Sequence, residues 1–291
     1  MPKLNEQRKG MFVVPREVIA EQFLRTLAGH PKKALDVMER FGVFDVLMPE
    51  LSHLKHCTQS KDFHSEGTAF RHTCRALTRL GSIAWNKEFG NSVPLVVVIG
   101  TLLHDIGKPS CKRLIRQHGK LHISFQHHDE RGSALAASIV RRLKLSSYGG
   151  MVSDHEVVWL IKSHMTAVQH MERPLPRCVL AERFVGERGL HLLQLMWADL
   201  VASLEPNHWP SLQPYRRLRN ELDSFLTKRN GLYVMPKPLI TGHDCITWFR
   251  MEQSPMIGKV LANVEEAQLQ GRIRTQRQAR IFAQRLLERG A

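Results

Sequence analysis

The sequence predicts an all-α fold, a helical bundle with flanking N- and C-terminal helices. Three observations predict it. Apolar residues recur at three- and four-residue spacing in segment after segment, and no segment alternates apolar and polar residues convincingly enough for a strand. The connections between these segments are short. The chain has 291 residues, 43% of them hydrophobic, enough for a full core in one large domain or two modest ones.

Residues 1–14 are expected to be a loose leader, and the first ten are polar, without the apolar region of a signal peptide. From Pro15 to Leu27, Val18, Ile19, Phe23, Leu24 and Leu27 share one side of a helix. Pro31 to Phe41 repeats the pattern with Ala34, Leu35, Val37 and Met38, and the apolar run Phe44–Leu51 breaks near Pro49. Phe63–Gly67 is a polar loop. Thr68 to Leu80 is a helix carrying His72, Leu77 and Leu80, and a helix over Val93–Asp105 follows. Ser110 to Ser124 is a basic loop or hairpin. His127-His128 opens a helix through Leu143, and Asp154, as an N-cap, opens another to His164. Later helices cover Leu190–Leu204, which contains Asp199, then Tyr215–Lys228, Pro255–Gln270 and Thr275–Leu287. The expected divisions are 1–61, 62–205 and 206–291, subdivisions of one helical body.

The formal net charge of +15 favours a polyanionic partner, most simply nucleic acid, although a generally basic surface has the same signature. Lys112, Arg113, Arg116 and Lys120 cluster after the central helix, and Arg272, Arg274, Arg277, Arg280 and Arg285 near the C-terminus. Such runs make salt-sensitive phosphate contacts or solvated faces. Aromatic residues, at 7%, are too sparse for a set of base-stacking platforms. Five scattered cysteines without a C-x-x-C pair argue against a disulfide framework or a Cys-rich zinc site, and fit a reducing cytoplasm. No apolar stretch reaches the roughly 18–20 residues of a membrane helix, so no membrane partner is expected.

The chemistry centres on Thr101-Leu-Leu-His-Asp-Ile-Gly-Lys-Pro109. Leu102, Leu103 and Ile106 imply burial on more than one side of His104 and Asp105, and burying an ionisable pair is costly unless it is partnered or bound to metal. Asp199 stands in the same position among Leu195, Met196, Trp197, Leu200 and Val201. Alone it would suit a salt bridge to arginine. With His72, His104 and Asp105 it suits a cation held between helices. His128 and His164, at the ends of two further apolar helices, are candidates for a second position with Asp105 bridging. Mixed imidazole and carboxylate ligands fit Fe, Mn, Ni, Co or Zn, and one or two divalent ions are expected, Mg included. Lys108 is a candidate for neutralising phosphate, and His64 and Glu66 for contacting substrate or moving a proton. Arg113 is a further substrate-binding candidate. His243-Asp244 follows Thr241-Gly242 and is expected to cap a helix. His118, His122, His127, His155, His170, His191 and His208 are expected mostly at the surface. Trp159 and Trp197 belong to the core, and Trp209 is exposed.

His72, then His104-Asp105 within LLHDIGKP, then Asp199, resemble the HD superfamily of metal-dependent phosphohydrolases. HSEGTAFRHT (64–73), FQHHDERGSALA (125–136), IKSHMTA (161–167) and WADLVAS (197–203) resemble one branch of it, the HD domain in the C-terminal part of bacterial CCA-adding tRNA nucleotidyltransferases. Residues 15–51 resemble the helical segment before that domain, and PLITGHD (238–244) with IGKVLANVEEAQLQGRI (257–273) resemble their tail. The resemblance implies His72, His104, Asp105 and Asp199 as ligands of a first metal and His128 and His164 as ligands of a second. It also implies hydrolysis of phosphate esters of nucleotides or RNA ends, with Asp105 and Lys108 in the catalytic site, and contact with tRNA. The family's nucleotide-adding head, with a Gly-Gly/Gly-Ser start and an Asp-x-Asp pair, has no counterpart in the sequence. Nucleotide addition by this chain alone is therefore not expected. A non-catalytic RNA-binding body working with a separate head, and a partner-regulated signalling protein, are the competing readings.

Overall fold

A computed structural model describes residues 14–60, 64–65, 67–117, 120–204 and 209–288. The chain divides into two compact units. One holds the chain up to Thr166 together with His191–Leu212, and the other holds Ala167–Leu190 and the chain from Gln213 onward.

The first unit is built around one helix. Its helices run α1 (Arg16–Gly29), α2 (Pro31–Arg40), α3 (Val43–Leu47), α4 (Pro49–Leu54), α5 (Ala69–Arg79), α6 (Ile83–Phe89), α7 (Leu95–Leu103) and α8 (Lys108–Cys111). After a two-stranded antiparallel hairpin, β1 (Arg113–Gln117) and β2 (Lys120–Ser124), come α9 (His128–Leu143) and α10 (Asp154–Ser163). Every residue of α7 is buried, as its uninterrupted apolar sequence demands. α1, α5 and α10 pack on it, and α9 lies along α10. Leu160 of α10 and Leu195 pack over Gly100: a Cβ there would make ordinary contacts of 3.4 and 3.6 Å with their methyl groups.

The second unit contains most of α11 (Thr166–Glu172), then α12 (Arg177–Phe184). The sixteen-residue α13 (Glu187–Ala202) starts in this unit, and its length from His191 onward belongs to the first. α14 (Gln213–Phe225), a small hairpin of β3 (Thr227–Arg229) and β4 (Leu232–Val234), α15 (Gly242–Phe249), α16 (Pro255–Leu269) and α17 (Gln276–Glu288) complete the second unit. Ile257, Val260 and Val264 of α16 and Ala279 and Ala283 of α17 share its core with Ile240 and Cys245.

The mostly helical architecture matches the expectation, with local corrections. The helix expected over Tyr215–Lys228 ends at Phe225, and Lys228 lies in a strand. Asn230-Gly231 turns that hairpin, both residues at positive φ (51° and 80°), as a tight turn joining twisted strands requires. Ser153, not Asp154, caps α10: its side chain accepts the Glu156 N–H. Thr241 and Asp244 form a reciprocal cap at the start of α15, the structural role expected for Asp244. His170 and His191 are buried rather than superficial. Leu175 N–H donates to the His170 ring, and the His191 ring pairs with Glu156 at 2.6 Å. Trp197 is buried and Trp209 exposed, whereas Trp159 is only half-buried. Among the described residues no helix is long and apolar enough to cross a membrane.

Candidate metal centre

The polar residues of the first unit meet where α7 ends. The helix expected to run through Asp105 stops at Leu103, and His104 to Gly107 form a turn before α8. That turn lies directly on the start of α9. A Cβ on Gly107 would fall 2.1 Å from the His128 carbonyl oxygen and 2.6 Å from the Gly132 nitrogen. Only glycine permits two backbones to approach so closely. The approach brings His104 and Asp105 against His128, the first residue of α9. α5 supplies His72, the end of α10 supplies His164, and α13 supplies Asp199.

Two groups of side chains that could hold a metal ion result, all buried except the half-buried Asp199: His72, His104 and Asp199, and Asp105, His128 and His164. In the first, His72 Nε2 lies 2.8 Å from Asp199 Oδ1, and His104 Nε2 lies 3.6 Å from the same oxygen. In the second, His128 Nε2 lies 3.1 Å from His164 Nε2. Asp105 faces both. Its Oδ2 is 3.4 Å from His104 Nε2 and 3.9 Å from His72 Nε2, while its Oδ1 is 3.6 Å from His128 Nε2.

The hydrogen bonds decide what these nitrogens present. His104, His128 and His164 each place Nδ1 on the carbonyl three residues back: Thr101 at 2.8 Å, Phe125 at 2.8 Å and Ile161 at 2.6 Å. A carbonyl only accepts, so each Nδ1 carries the proton, and in a neutral ring the Nε2 lone pair is turned inward. Burial holds both second-group histidines on the neutral side. His164 is pushed down to about 4 by burial and then by the neighbouring His128 and His104 charges. His128 is lowered by burial, with Lys108 adding to the effect. Two lone pairs 3.1 Å apart repel unless a proton or a cation lies between them. His104 Nε2 is likewise buried, with no hydrogen-bond partner.

The carboxylates answer this. Burial alone would raise Asp105. His104, Lys108, His72 and His128 outweigh it, and the group stays ionised far below the ordinary carboxyl range. Burial also works against Asp199, and His104 and His72 more than offset it. Ligand atoms about 2.1 Å from a shared ion stand about 3.0–3.4 Å apart. The first group's spacings of 2.8 and 3.6 Å bracket that range, the His128–His164 spacing of 3.1 Å falls inside it, and nitrogen with carboxylate oxygen suits a divalent transition metal. The side chains present therefore fit divalent ions.

Of the remaining candidates, Lys108 and His64 contact these groups. Lys108 Nζ donates to Asp105 Oδ2 at 2.7 Å and to Gln59 Oε1 at 2.6 Å, and lies 5.5 Å from the centre of the Phe125 ring. The His64 ring meets the His72 ring edge-on, 5.0 Å between centres. Glu66 lies outside the described residues. Arg113 is exposed on β1 and lines a cavity of about 590 Å³ with Ser110, Ser124, His127 and Arg131. Gln59 is a residue the sequence does not single out. A neutral amide in a polar stretch carries no sequence signal, and its bond to Lys108 joins positions 49 residues apart.

A buried histidine–aspartate centre inside a helical body defines a class, and comparison with known proteins agrees: residues 69–202 match the model of the HD domain family. The chain thus carries an HD domain, and over most of its length it is distantly homologous to tRNA nucleotidyltransferases. It is 29% identical to the A-adding tRNA nucleotidyltransferase of Deinococcus radiodurans over 91% of this chain and 57% of that protein. With the CC-adding tRNA nucleotidyltransferase of Thermus thermophilus it shares 28% identity over 92% of this chain and 56% of the relative. A multifunctional CCA protein of Neisseria meningitidis is 28% identical over 62% of this chain and 40% of its own length. The chain spans about half the length of the curated relatives it matches.

Proposed function

We propose that the protein is a metal-dependent phosphohydrolase acting on phosphomonoesters or cyclic phosphodiesters of nucleotides or RNA ends. The observation that carries this is the His128–His164 pair. Two Nε2 lone pairs are held 3.1 Å apart in the interior, beside a carboxylate whose other oxygen faces a second such group. On this reading His72, His104, Asp105 and Asp199 hold one ion, and Asp105, His128 and His164 hold another. A divalent cation in such a site acidifies water and polarises a phosphoryl oxygen. The chain's own groups supply the rest. The backbone carbonyls at Thr101, Phe125 and Ile161 fix the tautomer and direction of three ligand rings. The Lys108 ammonium, a compact point charge, offsets the charge of a phosphate drawn toward Asp105. His64, stacked edge-on against His72, is positioned to contact substrate or carry a proton.

The test begins with metal-stripped protein reloaded with Mn, Ni, Co or Mg and assayed on p-nitrophenyl phosphate, 2′,3′-cyclic AMP and tRNA. Hydrolysis that depends on the metal and falls more than about a hundredfold in Asp105→Ala supports the enzyme. Protein that takes up no metal, or hydrolyses nothing with any of them, sinks it.

A second reading, a tRNA-binding body that works with a separate catalytic head, is favoured by the names of the relatives and by the charge. Arg272, Arg274, Arg277, Arg280 and Arg285 are all exposed in the second unit. Salt-dependent tRNA binding without turnover under any metal would select it. The two readings are compatible in one molecule.

A further inference from the structure

Gln59 lies ahead of the HD domain match, in a segment zipped to the start of α5. Its backbone N–H donates to Gly67 at 3.3 Å, Thr58 bridges Thr68, and Cys57 accepts the Ala69 N–H at 2.9 Å. The Lys112 ammonium holds the Thr58 hydroxyl. The segment thereby places the Gln59 side chain in the interior, 4% exposed, against Lys108, 5% exposed.

The orientation of that amide follows from its neighbour. An ammonium only donates, so the atom facing Lys108 Nζ at 2.6 Å is the amide oxygen. Nε2 is then the atom turned away from that bond, and among the described residues it is buried with no hydrogen-bond partner. An unmet buried N–H₂ costs free energy, so such a group calls for an acceptor. Lys108 is in a related position. Of its three donors, Asp105 and Gln59 engage two. The amide that carries this N–H₂ is therefore bound to an ammonium that is itself one hydrogen bond from Asp105, the carboxylate facing both groups.

We propose that Gln59 is a substrate-binding residue: its Nε2, with Lys108, receives a non-bridging oxygen of the phosphate that the metal centre acts on. This rests on the phosphohydrolase reading and adds to it an anion-specific contact from outside the HD domain match. Gln59 donates without adding charge, so it helps to hold an oxyanion while leaving the charge balance of the ions and Lys108 unaltered.

Two variants test this role. Gln59→Glu keeps an acceptor for Lys108, removes the N–H₂ and adds a negative charge beside the anion. Gln59→Leu removes the N–H₂ without adding charge. In a Lys108→Met background Gln59→Leu changes nothing further if Gln59 only positions Lys108, and still weakens phosphate binding if Nε2 binds it. The measurement is calorimetric binding of inorganic phosphate to the Mn-loaded full chain, with metal content and thermal midpoint recorded alongside. The expected result is a loss of about ten- to a hundredfold in phosphate affinity at unchanged metal content. Gln59→Leu, which removes donor and acceptor together, should lose at least as much, and it serves if the glutamate variant takes up extra metal. Phosphate affinity equal to wild type in both variants overturns the assignment of Gln59 and leaves the phosphohydrolase standing. Phosphate binding absent from the metal-loaded wild type overturns both.

Discussion

At the scale of single residues, the centre depends on a contact that has no side chain at all. Gly107 sits where a Cβ would penetrate the His128 carbonyl and the backbone of Gly132. Gly107→Ala must therefore push the His104–Asp105 turn away from α9 and separate Asp105 from His128. The expected outcome is a loss of about 1–3 kcal/mol in a urea melt. A deficit in bound metal should accompany it, because on the proposed reading the displaced turn carries ligands of both ions, and it is read by metal analysis after gel filtration. Wild-type stability and metal content in that variant would mean the turn has room to spare. This scale also shows what is legible in the sequence. His72, His104, Asp105 and Asp199 stand out because ionisable side chains on apolar helices need partners. Which nitrogen each histidine turns inward is not legible, because it is set by carbonyls three residues back whose direction exists only in the fold. His170 and His191 mislead for the opposite reason: imidazole suits surface and interior alike, and only the partners Leu175 and Glu156 tell which.

At the scale of elements, α9 carries His128 at one end and is tied down near the other by Arg142. The Arg142 guanidinium donates to both oxygens of Glu50 on α4, at 2.7 and 2.9 Å, and to the Leu47 carbonyl at 3.1 Å. Burial raises the Glu50 carboxyl, but the hydrogen bonds from Arg142 outweigh it and the group titrates below its usual value. A carboxylate lowered in the folded state stabilises the fold above its unfolded pKa, and that contribution is lost as pH falls through the folded value. The loss begins as pH drops towards about 4.3, the ordinary glutamate value. Both side chains keep some solvent contact, so the pair contributes no more than about 1 kcal/mol. The Glu50→Gln variant should have a slightly lower urea midpoint at pH 7. It should also show a shallower acid limb below about pH 4.3, so that the two proteins converge. Parallel pH profiles for the two would show that the pair carries no linkage. Most helices are legible from apolar spacing, α7 most plainly. The β3–β4 hairpin is not, because every residue of β3 is exposed and no alternation marks it. Asn230-Gly231 is its one local signal.

At the scale of the whole molecule, the metal-binding side chains all belong to one of two compact units, while the arginine-rich C-terminal helices belong to the other. On the proposed reading, ion binding and any polyanion binding by these arginines would be built from different cores. The first unit gathers facing imidazole nitrogens, a His104 Nε2 without a hydrogen-bond partner among the described residues, and two carboxylates held low in titration against the cost of burial. A bound cation relieves all of these at once, and a ligand that binds only the folded form stabilises it by mass action. At a free concentration a hundred times Kd the gain is about 2.7 kcal/mol. The expectation for the full chain is that Mn added to stripped protein raises the melting of the first unit and leaves the second, with its Ile257–Ala283 core, where it was. Hydrogen exchange followed by mass spectrometry resolves the two. Protection should rise in peptides from α5, α7, α9 and α10 and stay level in those from α16 and α17. Replacing His128 and His164 together by leucine should abolish the metal response of the second ion. It should also leave the stripped protein as stable as the parent or more so, because apolar side chains of similar bulk remove the lone-pair conflict. A double variant much less stable than the stripped parent would show that the facing imidazoles support the fold in their own right, and the case for a cation between them would lose its physical basis.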